Sequence, residues 1–346
     1  GYPVEMNQLN DNIFISQQTR TLVRYNGASL IPYIEISSPT NLLLTKSSGA
    51  SGGFTRSYRV SAESDVGESL ACASVTISNV PEYLDSDKYI TLNWTAPSTV
   101  SGLVKGYTIY GRNLGDESYL TRVAPENTTW VDYGLNSPSY VHYAPTSNTT
   151  TGPKAKINIV AGERLVLLNI EGYPTRIMWS GGGPYADKFH YSQGGGYRDI
   201  NLNAGEEIVS AVAKDDKIIV FMNRSIYQVV LSYNSSIGVV EPVVTRISGA
   251  VGAVSHRAVK VSENEIAFVG RRAGGGYSLN FLGYEPNYTA AVLRTSEISP
   301  RIKDWFELWK PSRVEGELHT QTYANCYYMF APIGASNFSL MVYDRE

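Results

Sequence analysis

DNIFISQQTRTLVRY (Asp11–Tyr25) reads as a short apolar strand, a polar turn and a second alternating strand, and the same unit recurs along the chain. Further copies are GERLVLLNIEGYPTRIMWS (Gly162–Ser180), DDKIIVFMNRSIYQVVL (Asp215–Leu231), ENEIAFVGRRAGGGYSLNFLGY (Glu263–Tyr284) and NCYYMFAPIGASNFSLMVYD (Asn325–Asp344). Aligned on the first strand residue they start at Ile13, Leu165, Ile218, Ile266 and Tyr327, at intervals of 152, 53, 48 and 61 residues. The last three intervals lie near the ~40–50-residue period of propeller blades. The first joins them once the 93 residues 58–150 are set aside, which leaves 59. A lone hairpin cannot bury both of its faces, whereas several arranged radially bury one another. The competing reading is an all-β protein with irregularly spaced hairpins; the regularity gained by removing one segment favours the propeller.

Composition agrees with strands. The chain carries 31 Gly, 25 Tyr and 16 Pro in 346 residues, with little that reads as helix. Tyrosine suits pleated, half-buried surfaces, and Gly and Pro punctuate turns. The length fits two domains or one large all-β unit. An apolar content of 42% at a net charge of −3 excludes a disordered chain and argues against a protein that grips nucleic-acid phosphates. No run approaches the ~20 apolar residues that span a bilayer, so no membrane insertion is expected. No basic-then-apolar leader is visible, although the chain begins at Gly1 rather than Met, which leaves room for an upstream segment. Cys72 and Cys326 are too few and too far apart for a disulfide framework or a zinc cluster, and are expected as free buried thiols.

The interrupting segment has a character of its own. SYRVSAESDVGES (Ser57–Ser69) resembles the penultimate strand and following turn of a fibronectin type III domain. YITLNWTAP (Tyr89–Pro97) resembles that fold's second strand with its core tryptophan, here Trp94; GYTIYGR (Gly106–Arg112) resembles the third, and TTWVDYG (Thr128–Gly134) the fifth. The order is rotated. One circularly permuted sandwich is favoured over the tail of one module followed by the head of another. The expected organisation is therefore a first propeller part at residues 1–57, the fibronectin-III/Ig-like β-sandwich at 58–150, and the remaining blades at 151–346.

Taken in order with IMWSGGGPYADKF (Ile177–Phe189), DKIIVFMNRSIYQVV (Asp216–Val230), the stretch GAVSHRAVKVSENEIAFVGRRAGG from Gly252 to Gly275 and the closing MVYD (Met341–Asp344), these segments resemble the β-propeller tail proteins of short-tailed bacteriophages, of the nozzle, tail-tubular or tail-stabilisation type. The resemblance spans nearly the whole chain and rests on patterning and order, not on an invariant motif. It implies a virion structural protein that assembles with itself into a ring, commonly a hexamer, extends and gates the DNA channel, and supports neighbouring tail proteins. The partners it implies are the tail adaptor or tubular protein above, tail fibres or spikes, and double-stranded DNA that passes without specific binding. At 346 residues the chain is shorter than the larger members. The alternatives are an extracellular or cell-surface propeller module binding glycan or protein, and a propeller hydrolase.

Residues that could carry chemistry give little support to catalysis. His142, His190, His256 and His319 have no metal-ligand spacing and read as satisfied or surface histidines. There is no GxSxG element and no P-loop, so no catalytic residue, cofactor or metal is assigned. A glycosidase needs two carboxylates about 5–9.5 Å apart; Asp187, Asp199, Glu206 and Glu207 are candidates that nothing pairs. SDVGES (Ser64–Ser69) comes nearest to a sialidase Asp-box and lacks its tryptophan. Seven Asn-X-Ser/Thr sites occur, at Asn93, Asn127, Asn148, Asn223, Asn234, Asn287 and Asn337; several arise by chance in a chain rich in Asn, Ser and Thr, and the set reads as noise unless the host is eukaryotic. The glycine triplets Gly181–Gly182–Gly183, Gly194–Gly195–Gly196 and Gly274–Gly275–Gly276 do not open helices after buried strands, as a phosphate cradle would. Tight turns explain them; channel-lining loops are the functional candidate. Arg271 and Arg272 read as a solvated turn or as a DNA contact. RIKDWFELWKPS (Arg301–Ser312) is the best helix, with Ile302, Trp305, Phe306 and Trp309 on one stripe and Pro311 as its stop. Trp305 and Trp309 would pack in the core or anchor a neighbouring subunit.

Overall fold

The computed structural model describes residues 4–98, 102–139, 142–189, 193–201, 205–214, 216–234, 239–261, 265–271, 276–283, 294–297, 303–309, 311–323 and 326–344. Over these residues the chain is all-β, made of small antiparallel sheets with two short helices. The first sheet runs β1 (Val4–Leu9), β2 (Asn12–Gln17), β3 (Arg20–Tyr25), β4 (Leu30–Pro32). The next strands are β5 (Thr40–Lys46), β6 (Phe54–Glu63), β7 (Val75–Val80), β8 (Ile90–Thr95), β9 (Gly106–Arg112), β10 (Ser118–Val123) and β11 (Thr129–Asp132). They form two sheets, ordered β10-β9-β6-β7 and β11-β8-β5.

Sheets in plain chain order then resume. They are β12 (Ala155–Ala161), β13 (Arg164–Ile170), β14 (Tyr173–Trp179), β15 (Gly196–Asp199); β16 (Ile208–Lys214), β17 (Lys217–Met222), β18 (Ile226–Asn234), β19 (Val239–Ser248); and β20 (Val259–Val261), β21 (Glu265–Arg271), β22 (Tyr277–Gly283), β23 (Arg294–Glu297). Two helices, α1 (Lys303–Glu307) and α2 (Pro311–Glu317), lead into the last sheet, β24 (His319–Tyr323), β25 (Cys326–Ile333), β26 (Asn337–Asp344). The repeated sequence units correspond to β2 with β3, β13 with β14, β17 with β18, β21 with β22, and β25 with β26.

The chain separates into two compact units. Gly1–Arg20, Lys154–Ala186 and Gly196–Glu346 form one; Thr21–Pro153 and Asp187–Gly195 form the other. In the first, burial explains the near-continuous apolar strands. β17 sends Ile218, Val220 and Met222 into a core shared with β12–β14, and Ile219 and Phe221 into a core shared with β20–β22. A strand covered on both faces has no solvent side, so KIIVFM needs no polar alternation. β21 divides in the same way: Ile266 and Phe268 face β17, while Ala267 and Val269 face a third core with Tyr327, Met329 and Ala331 of β25. Phe221 and Phe268 meet with ring centroids 5.0 Å apart. Burying each such side chain contributes about 1.5–3 kcal/mol, so Phe221→Ala would open the joint between these two sheets. Each sheet therefore packs on the next one in sequence.

In the second unit, the two sheets of β5–β11 close over one core, with Tyr58, Val60, Ile109 and Leu120 on one side and Ile90, Leu92 and Trp94 on the other. Trp94 packs edge-on against Tyr107 at 5.3 Å. The strands of this pair of sheets begin at Thr40, and β6 runs through residue 58, so the segment starts ahead of the boundary expected from sequence.

The helix expected over Arg301–Ser312 is divided, and Ile302 lies outside the described residues. α1 ends at Glu307, Trp309 follows in a turn whose N–H reaches the Phe306 carbonyl at 3.2 Å, and Pro311 opens α2 instead of only ending a helix. A proline in the first helical position loses no intrahelical hydrogen bond, and its fixed φ suits the helix.

Candidate functional site

The first strands of successive sheets are neighbours: β1 packs on β12, β12 on β16, β16 on β20 and β20 on β24. Polar side chains gather along this line of strands. Asn158, on β12 and buried, donates through Nδ2 to the Glu5 carbonyl at 3.1 Å, the Phe14 carbonyl at 3.3 Å and Ser16 Oγ at 3.0 Å. Asn7 Nδ2 in turn donates to the Asn158 carbonyl at 2.8 Å and to its Oδ1. A single asparagine thus ties β12 to both strands of the first hairpin.

His256, in a single 3-10 turn ahead of β20, stands between two further groups. Ser210 Oγ on β16 lies 3.0 Å from its Nδ1, and Glu5 Oε2 on β1 lies 3.4 Å from its Nε2. The three residue types are those of a nucleophilic triad, and here they link three separate elements. Ser210 is fully buried, and no substrate carbonyl could approach its oxygen. The trio acts as a strut between β1, β16 and the turn before β20. Beyond it, Arg257 Nη1 lies 2.9 Å from His319 Nε2, and Thr320 Oγ1 donates to the Arg257 carbonyl at 2.6 Å. Arginine can only donate, so His319 must accept through an unprotonated Nε2. Burial and the charges of Arg257 and Lys260 hold its pKa below 6.5.

The sequence candidates fall on several elements. Gly181 accepts from Ser180 Oγ at 2.9 Å, Gly182 passes the Arg164 guanidinium, and Gly183 adopts φ +57 at the start of a 3-10 turn. Gly194 adopts φ +82; Gly195 presses on the Phe189 backbone; Gly196, the first residue of β15, faces the Trp179 indole. Arg271 ends β21, paired with Tyr277, while Arg272, Gly274 and Gly275 lie outside the described residues. Trp309 is buried among Phe306, Tyr277 and Trp305; Trp305 is half-buried and donates from Nε1 to Ser339 Oγ at 2.9 Å. Of these residues the structure brings Trp305 and Trp309 into contact, with ring centroids 5.0 Å apart.

The carboxylates considered for glycosidase chemistry take up different partners. Asp187 pairs with Arg24 at 2.9 Å, its pKa raised by burial against the opposing pull of Arg24 and Lys188. Asp199 takes both arms of Arg176, at 2.9 Å each, and Glu206 accepts from Asn201 and Ser225. Glu207 lines a small cleft with Gln18, Thr19 and Asn169. Among the described residues no group of three His, Cys, Asp or Glu side chains could hold a metal. Cys72 is buried, its thiol pKa raised by burial, and Cys326 is half-buried.

No family model and no curated protein matches the chain. A solved structure with some likeness is a puromycin-hydrolysing peptidase of Mycobacterium tuberculosis, at 10% identity and a TM-score of 0.33, covering 99% of this chain and 52% of that one. The chain thus spans about half of that protein, and a score so low carries no argument about fold or activity.

Proposed function

We propose that the protein is a non-enzymatic structural component of a bacteriophage tail, of the nozzle or tail-tubular kind. In this reading the hairpin sheets are blades of a β-propeller, and β5–β11 form a permuted fibronectin-type-III-like sandwich inserted between the first and second blades. The observation that carries it is the serial packing of sheets in chain order, interrupted after the first by the two-sheet segment around Trp94. Blades set radially require apolar residues on both faces of inner sheets, which is how β17 and β21 divide their side chains. The phage assignment rests on the order and pattern of the segments, since propellers serve many functions.

The protein would reside in the virion and assemble with copies of itself as a ring. It would meet the tail adaptor or tubular protein, support fibres or spikes, and let double-stranded DNA through without holding it. A net charge of −3 suits such a conduit, because each neutralised phosphate adds salt-sensitive affinity. Immunogold labelling of virions from the same source, with antibody raised against the purified chain, tests the reading. Gold at the distal end of the tail is expected. Virions without label, or turnover of a glycan by the purified chain, would overturn it.

A further inference from the structure

The two sheets of the second unit finish together at one end. β5 ends there at Lys46, β7 at Val80, β9 at Arg112 and β11 at Asp132, while β6, β8 and β10 start there at Phe54, Ile90 and Ser118. Four segments therefore crowd this end: 47–53, 81–89, 113–117 and 133–138. Their sequences, SSGASGG, PEYLDSDKY, NLGDE and YGLNSP, are mostly Tyr, Ser, Gly, Asn and Asp. Hydrogen bonds fix the loops. Asp85 Oδ1 accepts from the Asp87 and Lys88 N–H groups at 2.9 Å each, and Ser47 Oγ donates to the Asp87 carbonyl at 2.7 Å. Gly134 packs on the Leu84 carbonyl, and Asn136 Nδ2 donates to the Leu120 carbonyl at 3.3 Å. On this framework the large apolar side chains turn outward: Tyr83 is 76% exposed, Leu114 67% and Leu135 86%, on three different loops. One exposed leucine is ordinary; three such side chains on ordered loops at one end mark a contact surface.

Charge at this end is one-sided. Lys46 donates to the Asn79 carbonyl at 2.8 Å, Arg56 donates to the Pro81 and Glu82 carbonyls, Lys88 lies 3.8 Å from Asp85, and Arg112 is held by Asp132. The exposed carboxylates of Glu82, Asp87 and Asp116 have no ion-pair partner among the described residues. We infer that this end of the sandwich docks another protein, one whose contact face is basic with apolar residues set among its lysines and arginines. Tyrosine supplies contact area at low entropic cost, and Ser, Gly and Asn supply adaptable hydrogen bonds, as in paratope loops. Loops already ordered lose little freedom on binding. The free carboxylates select the sign of the partner and steer its approach. They also repel a nucleic-acid backbone. Leu114 and Leu135 speak against a sugar, which stacks on rings and offers hydroxyls that a leucine cannot bond. The surface stands on the geometry of the sandwich and does not depend on the tail reading; in a tail it would hold a neighbouring protein.

Carbodiimide cross-linking, which joins carboxylates to lysines in direct contact, tests it in intact cultures and particles of the source. The chain is recovered by antibody and its linked peptides are identified by mass spectrometry. Links from Glu82, Asp87 or Asp116 to lysines of one other protein are expected. Glu126, exposed between β10 and β11 at the opposite end of the sandwich, should give none to it. Purified, that protein should bind the chain in calorimetry, and Tyr83→Ala or Leu135→Ser should each weaken binding about tenfold. Rising salt should weaken it further. Both side chains stand in water, so the variants should keep the wild-type circular dichroism. No links from the three carboxylates, links only to lysines of this same sequence, or links spread over many proteins as at Glu126 would overturn the docking surface. Variants that bind like the wild type would do the same. Oligosaccharide binding lost in Tyr83→Ala but kept in Leu135→Ser would give the surface to a sugar instead. Tail-tip labelling in the immunogold experiment stands or falls separately.

Discussion

Tyr58 on β6 and Asp132 at the end of β11 belong to different sheets of the second unit, yet the Tyr58 hydroxyl donates to Asp132 Oδ2 at 2.8 Å. Arg112 grips both oxygens of the same carboxylate at 2.7 Å, and the Gly134 N–H reaches Oδ1 at 2.9 Å. Asp132 is fully buried, and Tyr58 titrates far above its usual range because of burial and the neighbouring carboxylate. Removing the carboxylate strands a guanidinium in a nearly dry site. Asp132→Ala should therefore lose about 3–5 kcal/mol, read as a lower urea midpoint. Tyr58→Phe, which removes one hydrogen bond and keeps the ring, should lose about 1 kcal/mol. Equal losses for the two would mean that the arginine does not depend on its partner.

His319 gives the fold a pH dependence with a defined sign. Its folded pKa is depressed, by burial first and then by Arg257 and Lys260, so the unfolded chain binds the proton more readily. The contribution is fully present above the unfolded value of 6.5 and is lost as pH falls toward the folded value. Protonation also turns Nε2 into a donor facing the Arg257 donor. Denaturant midpoints taken from neutral pH down through the low sixes should fall for the wild type. His319→Gln, which cannot charge, should flatten that part of the profile. An unchanged slope in the variant would assign the effect to another group.

How much of this was legible in sequence depended on burial. KIIVFM and EIAFVG stand out because both faces of those strands are covered, and Trp94 because a tryptophan amid alternating residues needs a core. β5 does not stand out: TNLLLTK is mostly exposed, so its apolar residues carry no burial pattern, and the sequence places the start of the segment at residue 58 instead. Sequence alone does not say on which side of a proline the helix lies, so Pro311 reads as a stop although it opens α2. The strut of Glu5, Ser210 and His256 was invisible for a different reason. Its members are single polar residues on three elements far apart in sequence, brought together by strand register and sheet packing. A histidine with no metal-ligand spacing gives no warning of this.

Asn158 should be the costliest polar residue along the first strands of the sheets to remove. Its amide serves β1, β2 and a side chain at once, and its carbonyl and Oδ1 accept from Asn7. Asn158→Ala leaves buried acceptors on two strands without their donor, at about 1–3 kcal/mol for each group that water cannot reach. A global loss of about 3 kcal/mol is expected. Hydrogen exchange should show the β1–β2 amides losing protection before those of β17 or β21. Uniform loss across all sheets would mean that the first hairpin does not open independently.

The glycine triplets separate into positions held by space and positions held by backbone angle. At Gly195 an added Cβ would lie 2.4 Å from the Phe189 carbonyl carbon and 2.5 Å from its oxygen, both main-chain atoms that cannot rotate away. At Gly183 the space is open and the demand comes from φ +57. Gly183→Ala should therefore cost only the left-handed penalty of about 1–2 kcal/mol. Gly195→Ala must displace the chain at Phe189, at about 1–3 kcal/mol or more. The two also differ in reach: the first variant should keep the wild-type exchange pattern around it, and the second should expose the backbone near Phe189. If Gly195→Ala proved as mild as Gly183→Ala, with Phe189 unmoved, the triplet would be a loose loop tip after all, as a channel-lining role requires.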